Sequence, residues 1–134
     1  MLADTGFLLA LNQPRDSLYQ RAAAWAQSIA EPIVVTEYVL WEMFNGLSRP
    51  NHRESAHDTL QYIEDTAHWE IISASRDWFR DGLELHRRRN DKAWSLTDCI
   101  SFLVMDSRKI VRALTSDHHF EQAGYEALLR RDPD

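Results

Sequence analysis

One cysteine, Cys99, stands alone in 134 residues. No disulfide can form within such a chain, and no multi-cysteine zinc cluster can be assembled. Glycine and proline are nearly as scarce, four of each, which leaves little material for long loops or linkers. No apolar run approaches the roughly 18 residues of a membrane span. No basic stretch followed by an apolar one opens the chain, as a secretory signal would. Basic residues are outnumbered: 15 Lys and Arg stand against 21 Asp and Glu, a net charge of −6. A protein that coats phosphates passively carries a basic surplus, so the balance argues against that class. It leaves open an acid-rich site that reaches phosphates through a metal ion. These absences point to a reduced, cytoplasmic protein. The length and the 44% apolar content suit a single domain over residues 1–134.

What is present is a regular alternation. Residues 1–3 read as a very short strand, and 32–35, 69–72, 110–114 and 125–129 as further strands. Between them lie helical patterns over 5–11, from Asp16 or Ser17 to about 30, from Thr36 to Arg49, over 53–65, from Ser75 to Asn90, over 95–107, and from Asp117 to Gly124. Pro50 is expected to end the third of these, because proline disfavours helix at the residue before it. Short strands alternating with helices predict an α/β fold with a mostly parallel sheet covered on both faces. The helix after Ser95 is apolar nearly all round, from Cys99 to Met105, which marks an interior helix. It carries one acid, Asp98, at its mouth.

In parallel sheets, ligands bind beyond the carboxyl ends of the strands. Asp4 follows the first strand and Asp117 the fourth. Asp98 starts the buried helix, and Glu42 lies two turns into the helix after the second strand, turned away from Leu40, Phe44 and Leu47. Clustered carboxylates repel and are stable together mainly around a cation. Hard oxygen donors suit Mg²⁺ or Mn²⁺ rather than zinc, and such a cage can activate water and hold phosphate oxygens. Each acid also has a structural reading: Asp4 and Asp117 as N-caps, Ser95 and Asp98 as a capping box, Glu42 as an exposed helix acid. Convergence separates the two readings, because four caps need not meet on one edge. Asp106, roughly 12 Å along the helix from Asp98, cannot share a metal with it. His118 and His119 are expected on the surface, since neighbours on a helix face different ways. Cys99 is expected in the core. The five tryptophans, Trp41 and Trp94 among them, are assigned to core or interface packing.

Four segments carry a resemblance: Leu2-Ala-Asp-Thr-Gly-Phe-Leu-Leu-Ala-Leu11, Thr36-Glu-Tyr-Val-Leu-Trp-Glu-Met-Phe-Asn-Gly46, Trp94-Ser-Leu-Thr-Asp-Cys-Ile-Ser-Phe102 and Ala113-Leu-Thr-Ser-Asp-His-His-Phe-Glu-Gln-Ala-Gly124. In order and spacing the chain resembles the PIN-domain family and, within it, the VapC-type toxin endoribonucleases. The resemblance implies a three-layer α/β/α sandwich with a central, mostly parallel sheet of four to five short strands. It implies Mg²⁺- or Mn²⁺-dependent hydrolysis of single-stranded or structured RNA. The family's catalytic, metal-binding acids match Asp4, Glu42, Asp98 and Asp117, and a hydroxyl near the metal matches Thr5, Thr97 or Ser116. Such toxins are usually homodimers held inactive by a co-expressed antitoxin. A housekeeping RNA-processing nuclease and a non-catalytic PIN-like module that binds RNA or protein are the alternatives.

Two features depart from the family pattern. Only three residues precede Asp4, so either the first strand is short or the natural start lies upstream. The net charge is acidic, offset in part over residues 76–92, where six basic residues stand against four acidic ones. Arg87, Arg88 and Arg89 are expected near the site mouth, contacting phosphates. The other reading is a solvated helix end, where cations also favour the dipole.

Overall fold

Strand residues send alternate side chains into two separate cores. In the computed structural model, which describes residues 1–134, the strands are β1 (Leu2–Ala3), β2 (Ile33–Thr36), β3 (Trp69–Ile72), β4 (Arg112–Leu114) and β5 (Glu126–Ala127). The helices are α1 (Thr5–Leu11), α2 (Tyr19–Ser28), α3 (Glu37–Gly46), α4 (Pro50–Asp65), α5 (Arg76–Arg88), α6 (Leu96–Arg108) and α7 (His118–Gln122). Ala3, Ile33 and Val35 face one core, with Phe7, Leu8, Val39, Leu40, Met43 and Ile63 from α1, α3 and α4. Leu2, Val34, Ile72 and Ala113 face the other, with Ile100, Phe102, Val104, Met105 and Phe120 from α6 and α7. This two-sided burial follows from the period of two along a strand and explains why the strands read as continuous apolar runs. The result is the expected α/β/α sandwich.

All five strands are parallel, in the order β3-β2-β1-β4-β5. From β1 the chain steps outward through β2 to β3, then returns to the other side of β1 for β4 and β5. The β1/β4 boundary is therefore the topological switch point, where an open parallel sheet leaves a crevice beyond its strand ends. The Asp4 amide extends the pairing there by donating to the Leu114 carbonyl at 3.2 Å.

Several boundaries differ from expectation. Helix α4 starts at Pro50, not near residue 53. Arg49 is extended, as a residue before proline should be, but proline lacks only an amide that a helix's first turn leaves free. Helix α2 starts at Tyr19, because the Asp16 carboxylate accepts from the Leu18 amide at 2.8 Å and forms a turn ahead of the helix. The last strand is two residues long and runs into a 3₁₀ turn, Leu128–Arg130.

Helix α6 is seated by close approach. A Cβ at Gly82 of α5 would stand 2.5 Å from Cγ1 of Ile100, so only glycine lets the two helices meet there. Trp94, Phe102 and Phe120 stack edge to face, each neighbouring pair 4.9 Å apart. The Trp94 indole also donates to Gln122 at 3.0 Å. These contacts fix the segment ahead of α6 against α7, next to the switch point.

Candidate active site

Asp4 ends β1 in an extended conformation and opens α1, yet its carboxylate makes no cap hydrogen bond. Its Oδ2 instead accepts from the hydroxyl of Thr115 at 2.8 Å, and that same hydroxyl accepts from the Asp117 amide at 3.0 Å. One buried threonine thus ties together the ends of β1 and β4. Burial pushes the Asp4 carboxyl up to about 7; the Thr115 hydroxyl opposes the shift, and the charges of Asp98 and Asp117 add to it.

Asp98 is held by the capping box expected from the sequence. Its amide donates to Ser95 Oγ at 3.0 Å, and its Oδ2 accepts from the Ser95 amide at 3.2 Å. Burial raises its pKa above the usual carboxylate value, the Ser95 amide opposes this, and Asp117 adds to it. Asp117 caps α7, its Oδ1 accepting from the His119 amide at 2.9 Å. Glu42 reaches inward from α3, where two hydroxyls hold it. Thr5 donates to Oε1 at 2.7 Å and Thr97 to Oε2 at 3.0 Å.

The four acids line a single cavity of about 510 Å³, together with Thr5, Ser116 and His119 and with no lysine or arginine. Capping and convergence thus coexist: Asp98 and Asp117 each cap a helix and face the cavity. Thr97 lies behind the lining and acts on Glu42. Asp106 bonds instead to the Tyr125 hydroxyl, away from the cavity. The arginines stand apart from the lining. Arg87 pairs with Glu84 at 2.9 Å. Arg88 is exposed. Arg89 pairs with Asp91 at 3.0 Å and covers the Trp94 ring, 4.8 Å from its centroid.

Sequence reading missed two residues. Thr115 gave a usable signal, a hydroxyl two residues before an acid at a strand end. His119 was set aside on the argument that adjacent residues diverge on a helix. Its Nδ1 lies 3.4 Å from Asp98 Oδ2 and 3.4 Å from Asp117 Oδ1. At the first turn of a five-residue helix, the side chain folds back over the capping carboxylate.

The donor set fits a hard divalent cation. Four carboxylates share one cavity with no lysine or arginine and with His119 as the one basic side chain, and their hydroxyl and amide partners orient them without neutralising them.

A second cavity, of about 450 Å³, is lined chiefly by Tyr38, Leu40, Trp41, Phe44, Leu60 and Ile71. Trp41, assigned to packing, is 73% exposed there, whereas Trp94 is buried. No helix is long and apolar enough to cross a membrane.

The PIN domain family matches residues 1–125. No curated protein sequence matches the chain. Among solved structures, the chain is similar to Mycobacterium tuberculosis VapC20, described as a sarcin-ricin-loop-cleaving toxin. The TM-score is 0.83, with 23% identity over 92% of this chain and 95% of that one.

Proposed function

The chain belongs to the PIN-domain family, and on that premise we propose that it is a divalent-metal-dependent endoribonuclease, the toxin of a toxin–antitoxin pair, acting as one domain over residues 1–134. The observation that carries this reading is the convergence of Asp4, Glu42, Asp98 and Asp117 on one cavity at the switch point of the sheet.

In this reading the four acids hold Mg²⁺ or Mn²⁺. When bound, the ion supplies a water of lowered pKa and neutralises charge on the scissile phosphate. The chain's own residues set the geometry. Thr5 and Thr97 clamp Glu42, Thr115 orients Asp4, and Ser95 fixes Asp98. Asp4 and Asp98 hold protons more tightly than free carboxylates do. Ion binding therefore displaces protons and strengthens as pH rises. No side chain is required as a general base. Of the three arginines, Arg89 is best placed to meet a phosphate, because its partner Trp94 lies between the cavity-lining residues Ala93 and Ser95.

VapC20 is described as a sarcin-ricin-loop-cleaving toxin, which makes an RNA hairpin with the sarcin–ricin sequence the first substrate to test. A cognate antitoxin, a homodimer and a cytoplasmic location belong to the same reading. The exposed apolar cavity around Trp41 supports a protein partner.

The test is cleavage of that hairpin by the purified chain with Mn²⁺, mapped at the RNA ends. Wild type is expected to cut, and Asp98→Asn to leave the RNA whole while keeping its fold by circular dichroism. Cutting that persists in excess EDTA would overturn the mechanism. RNA binding without cutting would favour the non-catalytic module.

A further inference from the structure

At the rim of the cavity, two imidazoles and a carboxylate come together in a way the oxygen cage does not need. His118 Nδ1 lies 3.6 Å from Asp117 Oδ1, and His119 Nδ1 lies 3.4 Å from that same oxygen. Each of the three residues offers a donor atom within 4.8 Å of those of the other two. Two donors on a tetrahedral ion, each about 2.0–2.1 Å from it, are separated by roughly 3.4 Å. The two separations to Asp117 are close to that value, and the His118 ring is exposed. Asp98 Oδ2, 3.4 Å from His119 Nδ1, offers a further oxygen on the cavity side.

The shared carboxylate is already held in place. The Asp117 amide donates to Thr115 Oγ1, and its Oδ1 accepts from the His119 amide. The entry path is open: the His118 side chain is 63% exposed and that of Asp117 is 36% exposed. His118 itself lies outside the lining of the acid cavity.

We propose that Asp117, His118 and His119 form a second metal site, which takes an imidazole-preferring transition ion of the Zn²⁺ class. Imidazole donors select Zn²⁺ over Mg²⁺ and Mn²⁺, and the affinity order of divalent ions runs the same way. Because Asp117 belongs to both sets, an ion held by the histidines draws that carboxylate away from the oxygen cage. Zn²⁺ is therefore an inhibitor of metal-supported cleavage. This consequence rests on the nuclease reading; the binding site itself does not.

The test has two parts. Zn²⁺ affinity is measured by competition with a chromophoric chelator, and the ligand field by the visible absorption of Co²⁺ added in its place. Wild type is expected to bind one Zn²⁺ at least roughly tenfold more tightly than either His118→Ala or His119→Ala. Co²⁺ bands in the wild type should change when either histidine is removed. Asp4→Asn should keep the tight Zn²⁺ site, since Asp4 belongs to the oxygen cage alone. Equal Zn²⁺ affinity in wild type and both histidine variants would overturn the proposal, as would loss of tight binding in Asp4→Asn. In the second part, Zn²⁺ is added to Mn²⁺-supported RNA cleavage. Wild type should be inhibited, while His118→Ala should cleave normally and resist inhibition. If wild type cuts no RNA with Mn²⁺, the nuclease reading fails, and the chelator and Co²⁺ measurements still decide the zinc site.

Discussion

Two cavities of similar size, about 510 and 450 Å³, share helix α3 and have opposite chemistry. Glu42 faces one of them and its neighbour Trp41 lines the other. In the first, every carboxylate is oriented by a hydroxyl or amide, yet no lysine or arginine balances them. In the second, the Trp41 ring stands open to water over half-buried apolar side chains. Each is a local departure from what a stable isolated fold requires: charges want counterions, and large apolar surfaces want burial. The polar cavity is preorganised and the apolar one is merely exposed. Preorganisation is the mark of a site that must hold geometry during chemistry, whereas exposure requires only a partner that covers it.

That contrast can be broken at several points. The largest effect is expected at the acids: Asp98→Asn should lower RNA cleavage by on the order of a thousandfold or more, about 4 kcal/mol in the barrier, read from initial rates on a hairpin substrate. Next is the pH dependence of the metal-free chain. The Asp4 carboxyl sits at about 7 in the fold, against an ordinary 3.8, so the folded chain binds the extra proton between those values. The contribution of Asp4 to stability is then fullest below about pH 4, falls as pH rises from there to about 7 and levels off above it, by up to about 4 kcal/mol in all. Denaturation midpoints across that range in EDTA measure the slope. Saturating Mn²⁺ should flatten it, and Asp4→Asn should remove the share due to Asp4, leaving the smaller one due to Asp98. Thr115→Val is expected to cost about 1–3 kcal/mol, because it strips a buried carboxylate and the Asp117 amide of their shared partner. It should also move the upper edge of the pH window to higher pH, since the lost hydrogen bond is what holds the Asp4 pKa down. The smallest effect belongs to the apolar cavity. Trp41→Ala should change monomer stability by no more than about 0.5 kcal/mol and leave cleavage intact, in thermal denaturation and hairpin assays. A large loss of stability there would mean that the tryptophan is part of the core.

The acids were legible because each announces itself locally. Asp4 and Asp117 follow apolar strand patterns, and Asp98 completes a capping box with Ser95. The parallel sheet and its layering followed from the alternation of short strands with helices, while the strand order did not. Thr115 stayed hidden because its partner Asp4 lies 111 residues away: its place two residues before an acid at a strand end marks it as near the site, but not which carboxylate it will meet. His119 was misjudged because helical periodicity describes the middle of a helix, while a capping carboxylate draws the first-turn side chains towards itself. The start of α4 was misplaced because proline was read only as a terminator. The exposure of Trp41 was equally illegible. Leu40, Trp41 and Phe44 look like any apolar stripe, and whether a stripe is covered depends on what the rest of the chain places over it.

The central position of β1 has a consequence for biosynthesis. In chain order the middle strand of the sheet comes before all the others, and its β4 partner comes from residues 112–114. Until those residues are made, Asp4 has neither its neighbouring strand nor the hydroxyl of Thr115, and Asp117 does not yet exist. Closing so long a loop comes late and is slow compared with local helix formation. On a partial chain, therefore, the four acids cannot yet meet in one cavity.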